Sequence, residues 1–152
     1  TSGGVGLLGC EMGGQAALRL AYRHPDKFPI AAAIAPAIDF HLGMRHGHDW
    51  ADGELFDTLW EIFDEPEQAR QETAILHVHP LNWPRHQWLV SSSNDARWHD
   101  GAVRLSSKLI ALGIPHTAIL DENTHEDLVS AFADDAISFI MESLDAEARR
   151  VS

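Results

Sequence analysis

The chain has 152 residues, with 23 Asp and Glu against 11 Lys and Arg, a formal net charge of −12. That length, with an apolar share of 45 %, fits one globular domain with one sizeable core. The acidic balance argues against nucleic acid and anionic membrane surfaces, which would repel it, and no apolar run approaches the ~20 residues of a membrane-crossing helix.

In chain order, residues 3–9 read as a short strand, glycine-rich and continuously apolar through Val5, Leu7 and Leu8. Continuous rather than alternating hydrophobicity marks a parallel strand covered on both faces. A turn of small residues follows, and then a helix over residues 15–23, whose Ala16, Ala17, Leu18, Leu20 and Ala21 allow close packing on a sheet. His24-Pro25-Asp26 ends it, because proline disfavours helix at the residue before it. Residues 29–34 form a second apolar run between breakers, read as a strand although alanine is a weak strand former.

Residues 40–84 differ in character, being rich in glycine, proline, histidine and acids. Leu55, Leu59 and Ile62 lay a helical stripe over residues 54–63. Residues 65–73 read as another helix with Pro66 in its first turn. The stretch is expected to be a helical insertion over the sheet within a single domain spanning residues 1–152. A third strand is expected at 87–91, a helix at 100–112 stopped by Gly113 and Pro115, and a fourth strand at 117–120. An amphipathic helix over 127–144 closes the pattern, and 142–150 reads as its solvated, fraying end. Strands alternating with helices predict an α/β fold with a parallel sheet flanked by helices.

The chemistry concentrates in Gly9-Cys10-Glu11-Met12-Gly13-Gly14, between a strand and a helix. A sharp turn there lifts its central residue above the sheet edge, as in a nucleophile elbow. The helix N-terminus then offers N–H groups to a developing oxyanion. Beyond it stand Ala17-Leu18-Arg19-Leu20-Ala21 and His24-Pro25-Asp26-Lys27-Phe28. On this run the chain resembles the α/β-hydrolase family, in particular its esterase branch, which reads G-x-S-x-G-G here, then an Ala/Leu-rich helix and a His-Pro-x-x-Phe segment. The resemblance implies the carboxyl-terminal half of that fold, strands 5 to 8. It also implies a carboxylic ester hydrolase lineage with a small-molecule ester as substrate and no cofactor.

In the family's order of nucleophile, acid and histidine, the resemblance assigns the acid to Asp95 and the base to His125, with the Met12 N–H as an oxyanion donor. Glu11 occupies the serine's seat. A carboxylate has no proton to yield to a histidine at neutral pH, so the serine mechanism is not supported at that position. Three readings of Glu11 stand: a degenerate site on a surviving scaffold, a carboxylate nucleophile as the aspartate of haloalkane dehalogenases is, or a non-native substitution or different reaction. A catalytically silent binding module is thus the alternative to an impaired hydrolase. Asp95 has a plain reading as a turn cap, His125 as a loop histidine, and Asp39 is a weaker acid candidate.

Ten histidines include the pairs His46-x-His48-Asp49 and His77-x-His79, which suit zinc chelation from an extended segment. They do not complete a metallo-hydrolase run and read as loop histidines, leaving a metal-dependent hydrolase as a distant alternative. Trp50, Trp60, Trp83, Trp88 and Trp98 suit a pocket lining or core packing equally. Cys10 is the single cysteine, which excludes an internal disulfide and fits a cytoplasmic setting. The start at Thr1 reads as a partial product. With strands 1 to 4 not in this chain, the strand from Val5 to Leu8 is expected at a sheet edge, recruiting a second copy or a separate amino-terminal segment.

Overall fold

A computed structural model describes residues 4–46, 53–123 and 127–151. The elements in chain order are β1 (Gly6–Cys10), α1 (Met12–Arg23), β2 (Ile30–Ile34), α2 (Phe40–His46), α3 (Gly53–Ile62), α4 (Pro66–Arg70) and a 3-10 turn (Ala74–His77). They continue with β3 (His86–Ser92), α5 (His99–Ala111), β4 (Thr117–Glu122) and α6 (Leu128–Val151). The four strands form one sheet in the order β1-β2-β3-β4, every neighbouring pair parallel. Gly6 aligns with Ile30 and Ile30 with His86, so β1 and β2 end level at Cys10 and Ile34, opposite Val90, and β3 runs two residues further to Ser92.

Composition explains the layering. All five residues of β2 are buried, and its three central alanines leave room for helices to press on both faces. On one face Leu18 and Ala21 of α1 and Ala102, Leu105 and Leu109 of α5 meet Ala31, Ala33 and Leu89. On the other, Ala136 of α6, flanked by Phe132, Phe139 and Ile140, meets Ala32, Ile34, Trp88 and Val90. A third cluster joins Phe40, Met44, Phe56, Leu59, Ala69 and Trp98 above the first face. This is where α2, α3 and α4 pack, between β2 and β3.

Three elements differ from the sequence reading. Helix α2 was not expected, because Gly43 and His41 are poor helix formers; Gly43 is there because a Cβ would run into the Phe56 ring. Helix α1 starts at Met12, three residues before the expected start at Gln15, so both elbow glycines lie in its first turn. Helix α6 runs 24 residues to Val151, and residues 142–150 are not a solvated fraying end. Ser143 and Glu147 are buried on the sheet side, and Glu147 accepts hydrogen bonds from Arg85 and pairs with His86 on β3. Among the described residues no helix is long and apolar enough to cross a membrane.

Candidate functional site

The turn after β1 is built by backbone close approach. A Cβ on Gly9 would collide with the carbonyl of Gly13, so only glycine lets the strand turn this tightly into α1. Glu11 sits at the apex with φ 51° and ψ −118°, a left-handed conformation that side-chain-bearing residues seldom adopt. Its backbone is pinned on both sides. The Glu11 N–H donates to Ile34 C=O at 2.9 Å, while its own C=O accepts from Gln15 and Ala37 N–H at 3.0 Å each. Gln15 thus makes the first intrahelical bond, which leaves the N–H groups of Met12, Gly13 and Gly14 ahead of the helical ladder at the positive end of α1.

The Glu11 side chain is 58 % exposed and its Oε1 lies 3.9 Å from Arg97 Nη2. The same guanidinium approaches Asp95, Nε to Oδ1 at 3.6 Å, and rests over the Trp98 ring 5.3 Å from its centroid. Asp95 Oδ1 accepts the N–H of Arg97 at 2.9 Å and of Trp98 at 3.3 Å. The structure therefore brings Glu11 and Asp95 to one edge of the sheet, with Arg97 between them. His125 lies outside the described residues.

The other candidates separate from this edge. Asp39 is buried and paired with Arg104, and its carboxylate packs against the position where Gly101 lacks a Cβ. Cys10 packs toward α6, on the opposite face from α1. Burial, and then the negative charges of Glu11 and Asp127, push its thiol above the ordinary range, so it stays protonated at neutral pH. Ser92 Oγ accepts the Asn94 N–H at 3.1 Å and Ser93 Oγ donates to Glu122 C=O at 3.2 Å, both at the strand end rather than on an elbow.

Of the histidine pairs, His48 and Asp49 lie outside the described residues. His77 is held below its ordinary range, first by burial and further by Arg19 and Arg23, and its Nε2 donates to Gln71 C=O at 3.0 Å. His79 Nδ1 accepts the Leu81 N–H at 3.1 Å, which leaves the proton of the neutral ring on Nε2. Among the described residues no three His, Cys, Asp or Glu side chains come together as a metal site. Trp50 lies outside the described residues, and the other tryptophans serve packing: Trp83 against the first core cluster, Trp88 against Phe132 and Phe139, Trp98 inside the α2–α4 cluster, and Trp60 donating from Nε1 to Met44 C=O.

Sequence reasoning missed Arg97. A cation two residues after the candidate acid was the available signal, but its reach to Glu11 depends on how the β3–α5 loop folds over the elbow. Also missed was a cleft of about 560 Å³ beside Met12, lined by residues of α1, α2 and α3.

A family model described as "Putative esterase" matches residues 1–120. Among solved structures, the chain is similar to a ferulic acid esterase with a TM-score of 0.61 at 12 % sequence identity. The alignment covers 90 % of this chain and 50 % of that one. This chain thus spans about half the length of that neighbour, and the likeness carries the fold, a parallel sheet flanked by helices. No curated protein matches the chain.

Proposed function

The chain belongs to the Putative esterase family, and from that premise we propose that it is an ester-hydrolase scaffold whose elbow has lost serine acyl transfer. The esterase-type scaffold is given by the family; the loss of the serine step is inferred from the elbow. One observation carries it: the apex residue, in the strained backbone conformation of a nucleophile elbow, is a glutamate. A hydroxyl becomes a nucleophile by passing its proton to a base, and a carboxylate has none to pass. The Glu11 carboxylate lies 3.9 Å from the Arg97 guanidinium.

The structure also favours a second reading on the same scaffold, a silent module that binds small-molecule esters. Asp95 already uses its Oδ1 on two backbone N–H groups, the role of a turn cap. In that reading the Met12 N–H, which lies ahead of the helical ladder of α1, is the donor to an ester carbonyl oxygen.

The test is turnover of 4-nitrophenyl acetate and butyrate together with labelling by a fluorophosphonate, read by intact mass. Hydrolysis at the buffer rate and an unlabelled chain are expected. One equivalent of label on any serine overturns the proposal. Oxygen-18 from solvent water entering the Glu11 carboxylate during turnover identifies an acyl anhydride on Glu11, formed with release of nitrophenolate, and overturns the reading that Glu11 does not attack.

A further inference from the structure

The far end of α1 borders a second cleft, remote from the elbow. The 12 residues of the helix, at about 1.5 Å each, set its last residue about 17 Å from the turn after β1. The cleft encloses about 540 Å³, inside the roughly 300–1,000 Å³ of small-molecule sites. One wall is Tyr22, Arg23, His24 and Pro25; the other is the segment from Leu76 to His79, with Asn82.

Charge sets this cleft apart. The chain carries 23 acidic residues against 11 Lys and Arg, yet among the described residues no Asp or Glu lines it. One guanidinium and the imidazoles of His24, His77 and His79 do. Arg19, one turn earlier on α1, is paired with Glu72, whereas Arg23 has no ion pair among the described residues. The carbonyl end of a helix opposes an anion. Here Leu20 C=O already accepts the His24 N–H, and His24 C=O accepts those of Lys27 and Phe28, which blunts that opposition. The guanidinium presents parallel N–H groups, a fork that fits a carboxylate.

Two further donors belong to the walls. His79 Nδ1 accepts the Leu81 N–H, so the proton of the neutral ring is on Nε2. Tyr22 is 3 % exposed, and its hydroxyl is buried with no hydrogen-bond partner among the described residues. Burial raises its pKa, so the hydroxyl keeps its proton. A buried hydroxyl without a partner has given up water and gained nothing in exchange, so an acceptor oxygen brought to it stabilises a complex more than one brought to an exposed donor. Between these groups, Leu76 and Val78 supply apolar surface for a short hydrocarbon.

We infer that this cleft binds a small monocarboxylate, its oxygens on the Arg23 guanidinium, the His79 Nε2–H and the Tyr22 hydroxyl, and its hydrocarbon against Leu76 and Val78. The elbow reading has no part in this assignment.

The experiment is titration of the purified chain at pH 7.5 with hexanoate, with the uncharged hexanamide, and with inorganic phosphate, followed by NMR of the Arg23 Nε–H and the His79 ring. Saturable hexanoate shifts are expected, with an affinity at least about tenfold above that for hexanamide or phosphate. Arg23→Gln is expected to weaken hexanoate binding about tenfold by removing the fork. Tyr22→Phe is expected to weaken it about fivefold while leaving the urea midpoint of the free chain no lower, because the hydroxyl it removes has no partner. Arg150→Gln removes the same charge at the exposed end of α6, outside the cleft, and is expected to change nothing.

No saturable shift overturns the site. Equal affinity for hexanamide shows an apolar cleft and no anion site, and phosphate bound as tightly as hexanoate shows a phosphate site; either overturns the carboxylate assignment. Unchanged hexanoate affinity in Arg23→Gln or Tyr22→Phe overturns the seating, and an equal loss in Arg150→Gln shows diffuse attraction to the chain's cations instead of a site. Serine labelling and ester turnover leave all of these outcomes untouched, so this assignment and the silent-elbow proposal fail separately.

Discussion

Glu11 holds a backbone conformation that suits glycine, at φ 51° and ψ −118°, and such positions cost of order 1–3 kcal/mol for a residue with a Cβ. The surroundings hold it there through three backbone hydrogen bonds, while its exposed side chain gains little from Arg97 across 3.9 Å of solvent-accessible space. Replacing Glu11→Gly is therefore expected to stabilise the fold by about 1 kcal/mol. The check is an upward shift of the urea midpoint at constant m-value; a fall in the midpoint would show that the carboxylate contributes more than the strain costs. The elbow was legible because glycine spacing is a backbone requirement and backbone requirements leave a local signature. Its charge partner was not, since Arg97 meets Glu11 only after β1 and β3 are placed by β2 between them. Asp39 shows the reverse error. Its position after β2 is legible, but burial against α5 and pairing with Arg104 turn it away from the role its position implied.

Among the elements, α6 departs most from its sequence reading. Its last turns carry Asp145, Glu147, Arg149 and Arg150, a composition that reads as solvated, yet Ser143 and Glu147 repeat at i and i+4 with Ala136 on the buried face. The helix is long because this end docks on β3: Arg85 and His86 reach Glu147. The Arg85 hydrogen bonds, opposed in part by burial and helped by His86, hold the Glu147 carboxyl down at about 2. The ordinary value is 4.5, so the folded state binds this proton more weakly than the unfolded one. Stability from the pair is then fully present above pH ~5 and is lost as pH falls through the ordinary value toward 2. Glu147→Gln is expected to flatten the fall in stability between pH ~5 and ~2 and to lower stability at pH 7. Urea unfolding across that pH range checks it, and an unaltered pH dependence refutes it. β2 and α5 were easier to read, because their apolar runs lie between prolines or glycines and need no distant partner to be recognised.

At the scale of the whole molecule, the two edges of the sheet are unlike. β4 ends in Asp121 and Glu122, charges of the kind that blunt an edge against further pairing. β1 is Gly-Leu-Leu-Gly-Cys, and among the described residues it pairs with β2 alone. Val5 is 50 % and Leu8 43 % exposed beside it. On α6, Ile140 packs against Gly6, and Ile137 and Met141, one turn apart and on the same flank as Ile140, are about half exposed. Bare N–H and C=O groups along β1 thus run beside apolar surface, which is the pattern that recruits another strand. A second copy meets one opposing force, the repulsion between two chains of charge −12 each. Salt relieves it, since the screening length shortens from about 30 Å at 0.01 M to about 8 Å at 0.15 M. Self-association through β1 is therefore expected at micromolar concentration, stronger in 0.15 M than in 0.01 M salt, and abolished by Leu8→Lys. Sedimentation equilibrium measures both. Amide exchange across Gly6–Cys10 separates the alternatives: protection that deepens with protein concentration places the contact on this strand. A monomer at every salt concentration, with fast exchange confined to β1, would mean that the edge frays instead of pairing with a second copy.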